Sequence, residues 1–186
     1  VTRIGLRVPL PKLVPIFTPL ASVKNTLNVP TPLEGTMVKL TSALAPGQAE
    51  EVADDTSFIS VKHLNLTGAG RKQGNTKDGL FINHSHDITV DSIDVQGFQK
   101  SGLLTYISSD IHATNVTAHD NGFAGICVAG EQSKNDCRNI YIGYCKAENN
   151  PGDPTNFNNH SGNGIIVGLC RSVTIEYCTA TNNGWD

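Results

Sequence analysis

The side chains able to bind or transfer charge fall at scattered positions along the chain. Arg138 and Arg171 lie 33 residues apart, and Asp78 stands between Lys77 and Gly79. Glu131, Lys134 and Asp136 share one short polar stretch, while Asp153 and His160 share another. Two neighbouring guanidinium groups would grip a carboxylate bidentately. A cation that neutralises a carboxylate, together with a base, is what removal of the adjacent proton requires. Paired carboxylates would do different work, one donating a proton and one activating water, at about 6.5–9.5 Å in the inverting geometry. His84, His86, His112 and His119 invite an acid–base or metal reading, yet none stands at a metal-ligand spacing. All of this chemistry depends on elements that bring distant positions together.

An internal repeat supplies those elements. Gly79-Leu80-Phe81-Ile82, Gly102-Leu103-Leu104-Thr105, Gly125-Ile126-Cys127-Val128 and Gly164-Ile165-Ile166-Val167 recur at intervals of 23, 23 and 39 residues. Nine residues after Gly79, Gly102 and Gly164 comes a second strand-like unit: Ile88-Thr89-Val90, Ile111-His112-Ala113 and Val173-Thr174-Ile175. A third opens fourteen residues after the same glycines, at Ile93, Val116 and Cys178. The Gly125 coil carries both units displaced by six residues, and ten more residues precede Gly164. An earlier coil is visible as Ile59-Ser60-Val61 and Leu64-Asn65-Leu66.

Each unit alternates apolar and polar side chains, the period of a strand with one buried face. One such coil cannot bury a core, but coils stacked at about 4.8 Å pair their backbones and share one interior. Leu80, Leu103, Ile126 and Ile165 then form one column, and Ile88, Ile111, Ile140 and Val173 another. A leucine-rich repeat would need a regular Leu-x-x-Leu-x-Leu frame, which is absent. Asp87, Asp110, Asn139 and Ser172 align just before the second strand, where such side chains bond turn backbone and stack as a ladder. Asn115, Asn121, Asn149, Asn150, Asn182 and Asn183 suit turns and left-handed backbone.

These aligned Gly-apolar, Asx-Ile and Asn-Asn-Gly elements resemble the coil repeats of pectin-lyase-like right-handed parallel β-helix proteins over about residues 58–186. The resemblance implies an all-β fold of about four to five coils, three strands per coil, with an irregular N-terminal segment. It is weaker for activity, because that superfamily includes lyases, hydrolases, epimerases, adhesins and phage tail proteins. Asn75-Thr76-Lys77-Asp78-Gly79 resembles the Asn-Thr-Asp-Gly motif of polygalacturonase-like hydrolases, with Lys77 intruding. The positions stacked on Asp78 are Ser101, Ala124 and Asn163, so the second acid is missing and that mechanism is disfavoured. Arg138 and Arg171 stack in a column with His86 and Ser109, and similar uronate lyases use such cations.

Two insertions, about residues 131–136 and 151–162, should rise beside the sheet face on which relatives bind oligosaccharides. The catalytic candidates are therefore Arg138, Arg171 and Asp78, and the substrate-binding candidates Glu131, Lys134, Asp136, Asp153 and His160. Two readings follow. One is a secreted or cell-surface carbohydrate-active protein acting on a polysaccharide as a lyase or glycoside hydrolase. The other is a non-enzymatic β-helix module for surface display, adhesion or glycan binding. The missing acidic pair favours the second, and the paired insertions favour the first. No cofactor is specified; the acidic loop residues permit calcium without specifying it.

Composition sets the remaining bounds. A net charge of −3 over 186 residues gives no support to a nucleic-acid partner or an anionic membrane surface. No apolar run approaches the length of a membrane span. Seven of nine prolines lie in the first 46 residues, so residues 1–57 are assigned to an irregular capping segment and 58–186 to coils. Ala49–Ala53 could form a helical turn. Asn182-Asn183-Gly184-Trp185-Asp186 falls where another first strand would begin, so further coils, or self-association, are expected to cover the last coil. Phe81, Leu104, Cys127 and Ile166 occupy the outward phase of the first strand, an apolar stripe that calls for cover. Of the five cysteines, Cys137 with Cys170 and Cys145 with Cys178 fall one coil apart. That separation permits a disulfide, at about 4.4–6.8 Å between α-carbons. Stacked free thiols fit with less distortion and are the expectation.

Overall fold

The computed structural model describes residues 53–71, 78–132, 137–152 and 161–184, with two short strands at 26–28 and 37–38. Among the described residues the regular structure is all strand, in chain order β1 (Thr26–Asn28), β2 (Met37–Val38), β3 (Ala53–Asp54) and β4 (Ser57–Thr67). The second coil holds β5 (Leu80–Asn83) and β6 (His86–Gln96), and the third holds β7 (Ser101–Tyr106) and β8 (Ser109–His119). The fourth holds β9 (Ala124–Ala129), β10 (Arg138–Gly143) and β11 (Lys146–Glu148). The fifth holds β12 (Asn163–Gly168), β13 (Arg171–Glu176) and β14 (Thr179–Thr181). Among the described residues, no helix is long and apolar enough to cross a membrane.

The coils wind into two sheets. One runs β2-β3-β5-β7-β9-β12; the other runs β1-β4-β6-β8-β10-β13, with β11 paired to β8 and β14. Every pairing between coils is parallel, and the register is the one the repeat predicts. Leu80 lies beside Leu103, Leu103 beside Ile126 and Ile126 beside Ile165. Ile88, Ile111, Ile140 and Val173 stack likewise. The inward column residues Leu80, Leu103, Ile126, Ile88, Ile111 and Ile140 are buried in one continuous core. Two antiparallel pairings adjoin the first coil, β1 on β4 and β2 on β3. Ala53 belongs to β3, and the rest of the expected helical turn lies outside the described residues.

In the first three coils the second and third strand units are drawn into one strand of 11 residues. His63, Ser92 and Asn115 sit at the bend with φ near +55°, so the chain turns through one left-handed residue while its neighbours keep their pairing. Tyr144 and Tyr177 occupy the same position in the last two coils, where the strands separate. The ladder before the second strand is also present. Asp87, Asp110, Asn139 and Ser172 all have positive φ, and Asn139 Nδ2 donates to Asp110 Oδ1 at 2.9 Å.

The repeated glycine has a packing reason. A Cβ on Gly102 would meet Asn121 Nδ2 and the Gly125 carbonyl, and one on Gly125 would meet the Ala147 methyl and Asn150 Nδ2. The first strand therefore approaches the returning third strand too closely for any side chain. Asn121 and Asn150 are fully buried at that corner. Asn121 Nδ2 donates to the Val95 carbonyl, and Asn150 Nδ2 to the Ala118 carbonyl and to Asn183 Oδ1. These asparagines are an internal polar ladder rather than surface turn residues.

The expectation of free-thiol ladders needs correction at one pair. Cys137 and Cys170 are disulfide-bonded with α-carbons 4.7 Å apart. Parallel stacking already sets that separation, so no backbone displacement is needed to join them. Cys145 and Cys178 are free, with Cys127.

Candidate functional site

Asp78 precedes β5 and is buried. The backbone N–H of Ser101, one coil on, donates to its Oδ1 at 2.8 Å. Burial raises its carboxyl above the usual range; the Ser101 hydrogen bonds and the Lys100 charge oppose that rise only in part. Ser101, Ala124 and Asn163 stack along the same column, and none supplies a second carboxylate. Cys127 lies close by, and burial, with the Asp78 charge adding to it, pushes its thiol up to about 12. Such a thiol is not a nucleophile at neutral pH. The outward stripe is not bare: Cys127 is buried, and Phe81, Leu104 and Ile166 are half-buried.

The arginines occupy the other end of the first-sheet strands, past the turn into the second sheet. Arg138 opens β10 and Arg171 opens β13, side by side in register, with Ser109 and His86 continuing the column. Both arginines are exposed, and neither forms an ion pair among the described residues. Parallel strands place their backbones about 4.8 Å apart. Asp110 adjoins Arg138; hydrogen bonds from Asn139 and Ser109, then the Arg138 charge, hold its carboxyl below the usual range. The corner is thus acidic at Asp87 and Asp110 and cationic at Arg138 and Arg171. His86 lies at the acidic end, with Nδ1 2.7 Å from Asp87 Oδ2.

Glu131 follows β9 at this same corner. Tyr106, the last residue of β7, donates its hydroxyl to Glu131 Oε1 at 2.8 Å, and that bond raises the phenol above its ordinary range. Asn83, in register with Tyr106 and Asp54, donates from Nδ2 to Asp54 Oδ1 at 2.8 Å. The structure therefore gathers Arg138, Arg171, Glu131 and Tyr106 around one turn. Asp78 lies apart from them at the start of the first-sheet strands. Lys134, Asp136, Asp153 and His160 lie outside the described residues. No group of three or more His, Cys, Asp or Glu side chains converges as a metal site among the described residues.

Two features escaped the sequence reading. Tyr106 and Asn83 are 23 residues apart, so the repeat alone could have placed Tyr106 beside Asn83 at the corner. The second is an aromatic stack on the second sheet. His112 and Tyr141 stack with centroids 4.6 Å apart, and Tyr144 and Tyr177 at 4.9 Å. Gly143 leaves room for the Tyr141 ring, whose hydroxyl donates to Glu176 Oε1 at 2.8 Å. That bond, before any effect of burial, pushes the Tyr141 phenol up to about 12.

Stacked parallel coils with inward aliphatic columns and an asparagine ladder define a parallel β-helix. Comparison with protein families agrees: the model described as "Right handed beta helix region" matches residues 78–186, and the chain belongs to that family. Comparisons with curated proteins and with solved structures find no match.

Proposed function

We propose that this β-helix binds an acidic polysaccharide through the corner formed by Arg138 and Arg171, without cleaving it. The observation that carries the reading is the pair itself: two exposed arginines in register on adjacent coils, free of ion pairs among the described residues. A guanidinium presents a planar fork suited to carboxylates, and adjacent coils repeat that fork along the rod axis as uronate carboxylates repeat along a chain. Against cleavage stands Asp78, which is remote from the pair, bonded to backbone and without an acidic neighbour in its column. A secreted or cell-surface location belongs to the same proposal. The Cys137–Cys170 bond supports it, because disulfides persist in oxidising compartments.

Titration with polygalacturonate, alginate and neutral dextran tests the reading. Binding should favour the acidic polymers and weaken as salt rises. The Arg138→Ala/Arg171→Ala pair should lower affinity by about a hundredfold or more, since each charge-assisted contact contributes about 1.5–3 kcal/mol. Equal binding of dextran, or an unaffected double variant, would overturn the proposal. Release of unsaturated products absorbing in the ultraviolet, or of new reducing ends, would replace binding with catalysis.

A further inference from the structure

We propose that Cys145 and Cys178 are a site of oxidative modification, closing into a second disulfide when the protein meets a small-molecule disulfide such as oxidised glutathione. The two residues immediately precede β11 and β14, whose first residues Lys146 and Thr179 are in register. They are therefore direct neighbours on adjacent coils, as Cys137 and Cys170 are at the preceding corner. The sequence separation is 33 at the bonded pair, and the same 33 separates Cys145 from Cys178. Parallel coils hold both corners at one axial spacing, so the step that accommodates one bridge recurs at the other.

One of the two thiols is already directed for closure, and the other needs a single rotation. Cys178 Sγ points back along the axis, 3.4 Å from the Cys145 backbone nitrogen and 3.5 Å from the Ile142 carbonyl oxygen. Cys145 Sγ points the same way, toward the Gly143 and Ala113 carbonyls. Rotation of the Cys145 side chain to another staggered position turns its sulfur toward that of Cys178. Access sets the order of steps, since Cys145 is buried and Cys178 is half-exposed.

The Cys178 thiolate attacks one sulfur of oxidised glutathione. A bond forms between Cys178 and that glutathione, the reagent's S–S bond breaks, and one glutathione thiolate leaves and takes up a proton. Cys145 then loses its proton to solvent and attacks the Cys178 sulfur, expelling the second glutathione. Two protein thiols are oxidised, one glutathione disulfide is reduced to two thiols, and the protons balance. Burial holds the Cys145 thiol up at about 11, so this attack draws on a small thiolate fraction. The product brackets β10 and β13 between two bridges, one at each end of the strand pair.

Mass spectrometry of the full chain, alkylated under denaturing conditions before and after exposure to oxidised glutathione, tests this. The three free thiols should fall to one, Cys127, with a Cys145–Cys178 linked peptide in the digest. Cys145→Ser should stop at a glutathione adduct on Cys178, and amide exchange in β13 and β14 should slow only in the wild type. Three thiols surviving, a lasting adduct on wild-type Cys178, or a bridge to Cys127 would each overturn the proposal.

Discussion

Asp78 shows what a single buried carboxyl contributes when no partner charge is placed against it. Its carboxyl stands above the ordinary 3.8 because burial disfavours the charged form more than the Ser101 bonds and Lys100 favour it. A group raised on folding supports the folded state fully below 3.8 and loses that support as pH rises through its folded value. Asp78→Asn keeps an oxygen for the Ser101 N–H and never ionises. Its stability relative to wild type should therefore improve as pH is raised from below 3.8 toward neutrality, as read by denaturant unfolding across that range. An unchanged difference across the range would show that Asp78 is better solvated than its surroundings indicate. Asp91 and Asp110, lowered by their side-chain hydrogen bonds, act in the opposite sense and support the fold above 3.8.

At the scale of elements, the third-strand corner depends on asparagine. Asn150 accepts from the Asn121 backbone N–H at 3.0 Å and donates to the Ala118 carbonyl at 3.1 Å, both in the interior. Replacing Asn150 by Ala leaves two buried backbone groups without a partner. At roughly 1–3 kcal/mol for each such group, Asn150→Ala should cost about 2–6 kcal/mol in chemical denaturation. Asn149, exposed and next to it with φ +54°, serves the bend instead. Asn149→Gly should be nearly neutral in the same measurement, because glycine adopts that backbone freely. A further tie links distant coils: Arg71 Nε bonds Asp120 Oδ1 at 2.9 Å, and its Nη1 bonds the Gly152 carbonyl at 2.6 Å.

Along the whole rod, burial is uneven. Val128 and Ile142 of the fourth coil are buried, whereas Val167 and Ile175, their counterparts in the fifth, are 39% and 44% exposed. The fifth coil packs against one neighbouring coil among the described residues, and the middle coils pack against two. Local opening costs least where apolar contacts are fewest. In this chain, amide exchange in β13 should outrun that in β8 by at least about tenfold. Equal protection of the two strands would show that the fifth coil is as well supported as the third.

The architecture was legible in the sequence because a β-helix is nearly one-dimensional. Residues 23 apart meet, so spacing alone predicts the Leu80–Leu103–Ile126 column and, across the second insertion, the pairing of Arg138 with Arg171. Spacing says which coils touch and nothing about how a side chain turns once there. It left both cysteine pairs equivalent, and only the packed structure distinguishes Cys137–Cys170, joined, from Cys145 and Cys178, whose thiols bond carbonyls. It placed the asparagines at turns without separating buried Asn121 and Asn150 from exposed Asn149 and Asn182. Rotamer, burial and hydrogen-bond partner are set by the coils above and below, and those neighbours exist only in the folded rod.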